Sequence, residues 1–430
     1  MSIAQNTPAE DNSHSATLAP ELAALQRWRI GGILLTHGVI DFFSYVIVPI
    51  VTLLEGRVHL SHEQGAFLLG LGSIASGAIQ PLVAWISDRY HTRLPGWIGF
   101  VLAVFAISLV GHATQYWHLL LIQIIGSAGV GAYHPVAAAV VGQLSGSRRL
   151  VGMSAFFAAG MTGGILGNWT TPAYVNRLGI ESLLWLIPPG LFAAWILWQS
   201  MRGVEHGHIA ARAAHAELTI QEQRARWRGI WLLYTSNVLR FIVNMMLVQL
   251  AIRWSEQAIL HRNSAANLDD ALRTKAIAIN GPLQASMQVG MGFVGLAIAL
   301  LAAKSVQRQW LLWTPIACAV PLFLFPAASA PTWMAFVVLT IAGAGFGGTY
   351  SISVSMGQQL LPHRTNLASG LLMGGAWGVA FLGPPLAQWI LDQSNLRIAF
   401  VSSGVLLLIS GALIAFLPRH AGAMNPVTKP

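Results

Sequence analysis

Residues 29–54 read RIGGILLTHGVIDFFSYVIVPIVTLL. After Arg29 the run carries one formal charge, Asp41, with His37 four residues before it and Tyr45 four after. At that spacing the three share one face of a helix. A helix needs about 20 predominantly apolar residues to cross a bilayer, so this stretch spans one with a carboxyl group near its middle. Comparable runs recur at about 64–87, 95–114, 116–144, 150–175, 180–201, 229–252, 281–303, 310–326, 333–361, 367–391 and 397–417. Only 9% of the 430 residues are charged and 55% are hydrophobic, against roughly 25% charged in soluble domains. The composition excludes most soluble enzymes, disordered scaffolds and nucleic-acid binders. The expected fold class is an all-α polytopic membrane protein with twelve transmembrane helices, lying in the lipid bilayer.

The remaining charges report topology. Formal net charge is +9. With both termini in the cytoplasm, the inside segments hold 16 Lys and Arg and the outside segments 7, while acidic residues divide 7 and 7. Basic residues concentrate on the cytoplasmic side, so the basicity marks topology and no nucleic-acid partner is expected; the expected location is a bacterial inner membrane. Asp41 and Arg240 are left over inside apolar spans. Cys318 is the single cysteine, so neither an internal disulfide nor a cysteine-rich metal site is expected. The polar N-terminal residues lack the basic and apolar regions of a cleaved signal. Most tryptophans, Trp28, Trp117, Trp227, Trp254 and Trp310 among them, sit near span ends, where interfacial anchoring is expected.

The polar stretch Arg202 to Arg228 divides the spans six and six. Sliding the first span by 199 residues lays Arg27-Trp28-Arg29 on Arg226-Trp227-Arg228 and Asp41 on Arg240. Sliding the fourth span by 216 lays Ala128-Gly129-Val130-Gly131 on Ala344-Gly345-Phe346-Gly347, Tyr350 coming under His134. Two copies of six spans have the same orientation, the parallel-repeat plan of one large class of secondary transporter. The expected division is a cytoplasmic tail at 1–28, a six-helix half at 29–201, a linker at 202–228, a second half at 229–417 and a tail at 418–430.

At this point the chain resembles the major facilitator superfamily. The loop after the second span reads Ala84-Trp85-Ile86-Ser87-Asp88-Arg89-Tyr90-His91-Thr92-Arg93, in which Asp88, Arg89 and Arg93 match the family pattern G-x-L-x-D-R-x-G-R-[RK] while Ala84, His91 and Thr92 depart from it. Span five carries Gly160, Gly163, Gly164 and Gly167, with Asn168 where a Pro is usual. Within the superfamily the chain is most similar to fosmidomycin-resistance-type exporters, which carry a His and an Asp four residues apart in span one, here His37 and Asp41. They also carry an aromatic-His-Pro triplet in span four, here Tyr133-His134-Pro135, followed by Val136 in place of the usual Glu. The resemblance implies the two-half, pseudo-symmetric major facilitator fold, a central cavity facing Asp41 and Arg240, and cytoplasmic gating by Asp88, Arg89 and Arg93, with Arg148 and Arg364 as equivalent latch residues.

The chemistry follows from the few polar groups at membrane depth. An ionised carboxylate there costs at least about 2.5 kcal/mol, burial disfavours its charge and a neighbouring cation favours it. A carboxylate between these effects can take and release a proton, and His37 beside it titrates near neutral pH. Asp41 and His37 are therefore the candidate proton-coupling pair, the alternative being a structural hydrogen-bonded pair. Arg240, a permanent cation, with His134, Tyr45, Asn237, Asn244 and Tyr350, forms the candidate substrate-binding set. The alternative for each is inter-helix bonding. No G-x-x-x-x-G-K-[ST] loop, H-E-x-x-H or G-x-S-x-G motif occurs, so neither nucleotide hydrolysis nor a cofactor or catalytic metal is expected.

The expected function is a secondary active transporter that exports a small amphiphilic or anionic substrate against protons by alternating access, working as a monomer. Uptake of a small anion is the second reading. An integral-membrane enzyme using His37 or His134 as base would leave the duplicated halves unexplained.

Overall fold

The computed structural model describes residues 12–90, 92–145, 149–204, 220–294, 306–361 and 370–417, with Ala297 and Ala368. No strand occurs among the described residues. The helices of the first half are α1 Asn12–Ser44, α2 Ile47–Val58, α3 His62–Tyr90, α4 Leu94–Ser108, α5 Tyr116–Leu144, α6 Arg149–Leu178 and α7 Ile187–Met201. Those of the second are α8 Ile220–Asn263, α9 Asp270–Val289, α10 Gln307–Phe323, α11 Thr332–Leu360, α12 Gly383–Gln393 and α13 Leu396–Leu413. Among the described residues eight helical segments, Ala24–Val58 and Ile220–Asn263 included, are long and apolar enough to cross a membrane.

The first span is one helix broken near its centre. Pro49 lacks the N–H that would bond the Tyr45 carbonyl, and the chain tightens there: Tyr45 N–H bonds Asp41 and Phe42 carbonyls and Val46 N–H bonds that of Phe43, each at 3.2 Å. The break separates Asp41, at the end of α1, from Glu55, near the end of α2. Helices α3 and α4 pack on α5, and α1 packs on α6; in the second half α10 and α8 pack on α13, and α11 on α9. The two groups meet where α2 and α6 lie on α9 and where α3 lies on α12. Just before α12, the short helix Ala376–Val379 also lies on α3, with Gly77 against Gly378, where an added Cβ would come within 2.5 Å of the facing backbone.

Two expectations change. The stretch 253–280, left between the seventh and eighth expected spans, is mostly helix. Its 44 residues carry α8 about 66 Å, well past a bilayer core, to Asn263, and α9 starts at Asp270, capped by the Asp269 side chain on Leu272 N–H at 2.7 Å. Trp254 is no interfacial anchor. It is fully buried, its indole N–H donating to the Pro326 carbonyl at 2.9 Å. Trp28, Trp117 and Trp169 are exposed.

Candidate functional site

His37 and Asp41 end α1 on the face turned to α5 and α6, and the first half places His134 against them. Asp41 Oδ2 lies 3.4 Å from His37 Nε2 and Asp41 Oδ1 lies 3.3 Å from His134 Nε2. The side chains of His37 and Asp41 are 2% and 9% exposed, and that of His134 27%. Both rings are fixed from behind. His37 Nδ1 bonds the Phe156 carbonyl at 2.7 Å and the ring stacks on Phe156 at 3.7 Å; His134 Nδ1 bonds the Val130 carbonyl at 2.8 Å. A carbonyl only accepts, so each Nδ1 carries the hydrogen, and in a neutral ring Nε2 is then a lone pair. Two lone pairs and a carboxylate converge, and His37 Nε2 is buried without a hydrogen-bond partner. The position of Gly160 on α6 completes the cluster: a Cβ there would lie 2.7 Å from the His37 imidazole and against Asp41 Oδ2.

Arg240 does not join this cluster. Its guanidinium is 3% exposed and lies inside the second half, donating from Nε to Ser410 Oγ at 3.0 Å, from Nη1 to Asn237 Oδ1 and Ser353 Oγ at 3.3 Å each, and from Nη2 to the Leu311 carbonyl at 3.1 Å. Asn237 also donates to the Leu372 carbonyl at 3.2 Å. Asn244 donates to Met291 Sδ at 3.5 Å and Met287 Sδ at 3.8 Å. The repeat lays Arg240 on Asp41, but here each charge turns into its own half. Tyr45 packs over Gly164. Tyr350 reaches across the boundary, its ring 5.7 Å from Phe157 of the first half and 5.5 Å from Phe241.

At the loop end, Arg89 is exposed. Arg93 donates to Gln143 Oε1 at 3.2 Å and to the Met201 carbonyl at 3.4 Å, tying the ends of α5 and α7 to the start of α4. Burial, with Arg29 nearby, holds its guanidinium below the ordinary arginine value. Arg148, Arg364 and the side chain of Asp88 lie outside the described residues.

A second charged cluster was not anticipated. Arg253 donates to Glu55 through both terminal nitrogens, with Nη1 to Glu55 Oε2 at 3.0 Å, and to Glu256 Oε2 at 2.7 Å. The three side chains are 3%, 2% and 6% exposed. Glu256 accepts from the Thr52 hydroxyl at 2.5 Å, Arg273 donates to the Thr52 carbonyl at 3.0 Å, and Asn280 reaches the carbonyls of Val48 and Pro49 at 3.3 Å. These bonds join α2 to α8 and α9, and so one half to the other. Sequence reasoning gave these charges to solvent because they end apolar spans. The signal available was the repeat, since the 199-residue offset lays Arg57 on Glu256 and Leu54 on Arg253, so that both first spans end in charge.

Comparisons with known proteins agree with this architecture. The family model described as Major Facilitator Superfamily matches residues 33–366. The fosmidomycin resistance protein of Escherichia coli K12 is 24% identical over 91% of this chain and 93% of its own length. The uncharacterized MFS-type transporter YfnC of Bacillus subtilis 168 is 20% identical over 89% and 88%. In fold, the chain is similar to a bacterial homolog of the human lysosomal transporter Spinster, with a TM-score of 0.66, 16% identity and coverage of 93% of this chain and 97% of that one. A duplicated all-helical bundle with ionisable groups buried at its centre is therefore the framework of a multi-pass membrane transporter and not of an enzyme, and the chain belongs to the Major Facilitator Superfamily.

Proposed function

We propose that the protein is a proton-coupled exporter of small amphiphilic or anionic compounds, with His37, Asp41 and His134 as its proton site. The observation that carries this reading is the convergence of the two imidazole Nε2 atoms on the Asp41 carboxylate at 3.3–3.4 Å. Lone pairs so placed repel unless something positive lies between them, and a proton is the smallest such group. The proton site lies wholly within residues 29–201, while the bonds of Val48, Pro49, Thr52 and Glu55 to Arg253, Glu256, Arg273 and Asn280 close the boundary with 229–417 at one end. With both termini in the cytoplasm of a bacterial inner membrane, that end is the outer one, and the structure corresponds to an outward-closed state of a monomeric alternating-access cycle. The resistance function in the name of the Escherichia coli relative supports export.

Purified protein in proteoliposomes, with a pH-sensitive dye inside, tests the reading in chelator-treated buffer. Drugs and small anions that drive proton movement identify the substrate class, and Asp41→Asn abolishes that movement while leaving the protein folded. Normal coupling in Asp41→Asn removes the triad from the mechanism. Uptake of an anion is the second reading, favoured by Arg240, for which no carboxylate partner is seen among the described residues. It requires the guanidinium to release Asn237 or Ser353 and turn to the cavity. The direction of flux in oriented vesicles separates the two.

A further inference from the structure

The same three donors have a geometry that a proton uses only in part. A proton on either imidazole, or on the carboxylate, bridges one pair of acceptors and leaves the third facing a lone pair. A metal cation would engage all three together. We infer that His37 Nε2, His134 Nε2 and the Asp41 carboxylate form a binding site for a first-row divalent transition-metal cation, of the zinc, cobalt or nickel class. The inference rests on the acceptor geometry and not on proton-coupled transport, and it reverses the expectation from sequence that no metal is held.

Four observations support it. Metal-bound histidines are oriented by a hydrogen bond from the other ring nitrogen to a carbonyl or carboxylate, and both rings here have that bond, to Phe156 and Val130. Each imidazole nitrogen lies one tetrahedral edge, roughly 3.3–3.5 Å for metal–ligand bonds of about 2.0–2.2 Å, from a carboxylate oxygen, His37 Nε2 from Oδ2 at 3.4 Å and His134 Nε2 from Oδ1 at 3.3 Å. The three ligand atoms lie within 4.8 Å of one another. Closing them onto one ion asks for about 1 Å of imidazole movement at such bond lengths, which the partly exposed His134 is placed to make. Gly160 leaves the space beside Asp41 and His37 open, where any side chain would fill it.

The donor set fixes the class. Two imidazoles and one carboxylate suit zinc, cobalt and nickel, whereas magnesium and calcium take oxygen ligands and copper(I) takes thiolate or thioether. Three protein ligands leave a coordination position for water or a substrate group. His134 is the ligand on the exposed side, so the ion enters past it. Metal and proton then compete for the same lone pairs.

The test uses the intact, tag-free protein in detergent, stripped with chelator and titrated with Co²⁺ alone. The expected result is one equivalent bound, with the visible absorption of tetrahedral nitrogen–oxygen coordination and displacement by Zn²⁺. His134→Gln and Asp41→Asn should each lose more than the roughly 10–100-fold in affinity that an outer partner of a ligand contributes. His59→Gln with His112→Gln, two exposed residues, should bind as the parent does. Gly160→Ala keeps all three donors and fills their space. It should weaken Co²⁺ to a similar extent, which holds the inference to account if a ligand variant fails to fold. Co²⁺ binding unchanged in folded His134→Gln and Gly160→Ala, or lost in the His59/His112 variant, places the metal elsewhere and overturns the inference. Proton coupling that survives in Asp41→Asn overturns the transport reading alone, because the Co²⁺ titration is read without transport.

Discussion

Arg253→Gln probes what holds the two halves together. The change removes the cation between Glu55 and Glu256, whose side chains are 2% and 6% exposed. Glu256 keeps the Thr52 hydroxyl at 2.5 Å and Glu55 keeps His62 Nδ1 at 3.0 Å, but neither contact replaces a guanidinium. Removing one partner of a buried pair costs about 3–5 kcal/mol. Of the two pairs only Arg253–Glu55 crosses from one half to the other, so the loss falls on the closed arrangement. At about 1.4 kcal/mol per tenfold, the closed-to-open ratio drops between about a hundredfold and several thousandfold. Spin labels on Ser61→Cys and Asn267→Cys, in a Cys318→Ser background, read the separation of the two loops by pulsed dipolar spectroscopy. The expected outcome is a shift of the distance distribution to longer values in Arg253→Gln. Arg253→Met combined with Glu55→Gln and Glu256→Gln, which removes all three charges, should return most of the closed population, because a buried pair replaced as a whole is nearly neutral. An unchanged distribution in monodisperse Arg253→Gln would show that contacts other than these charges close this end. The exposed Arg57–Glu181 pair, 36% and 54% accessible, serves as a control, since surface pairs contribute about 0–1 kcal/mol and Arg57→Gln should leave the distances unmoved.

Arg240→Lys should lower thermal stability. Its three donors on one nitrogen cannot reach Ser410, Asn237, Ser353 and the Leu311 carbonyl together, and an acceptor left unmet in the interior costs about 1–3 kcal/mol; calorimetry equal to the parent would show that the fork is not needed. Trp254→Phe removes the donor to the Pro326 carbonyl and should lose about 1–3 kcal/mol with transport per folded molecule retained, measured by flux normalised to monodisperse protein. Asp269→Ala removes the cap of α9 and should lose about 0.5–2 kcal/mol, seen as earlier exchange of the amides that start at Asp270.

Most of the fold was legible because the bilayer imposes one constraint, apolar length, and eight helical segments among the described residues meet it. The limits of each span were less legible. At the end of the seventh, Arg253 and Glu256 look like the return to water, yet the helix continues and the two charges satisfy one another inside. The site was legible along one helix and illegible across helices. His37 and Asp41 announce themselves by four-residue spacing, whereas His134 joins them only because α5 packs in the first half with its Pro135 turn beside α1. Its near neighbour in the repeat, Tyr350, goes instead to an aromatic contact with Phe157 and Phe241. The relation of Arg240 to Asp41 shows the same limit from the other side. The repeat fixes that they are equivalent, and equivalence does not fix which way a long side chain turns.

The three buried charge centres differ in what can change them. Arg240 is satisfied by neutral acceptors that all belong to the second half, so it travels with that half and registers nothing. Arg253 is satisfied by a carboxylate of the first half, Glu55, and one of its own, Glu256, so it registers separation of the halves. Asp41 faces two imidazoles, whose charge a single proton or metal ion alters without any movement of the halves. On the proposed mechanism a signal must therefore pass from the second kind of centre to the third. Asp41 and Glu55 are on the same span, 14 residues and about 21 Å apart along a helix, and the only irregularity between them is the turn at Tyr45 and Val46 that Pro49 leaves unbonded. A cation held at Asp41 acts on α1, the Glu55 contact acts on α2, and this joint sets how much of one movement reaches the other. The joint also lies where Tyr45 crosses Gly164 of α6, so that bending there is guided by packing against the helix that carries Gly160, the wall of the cation site.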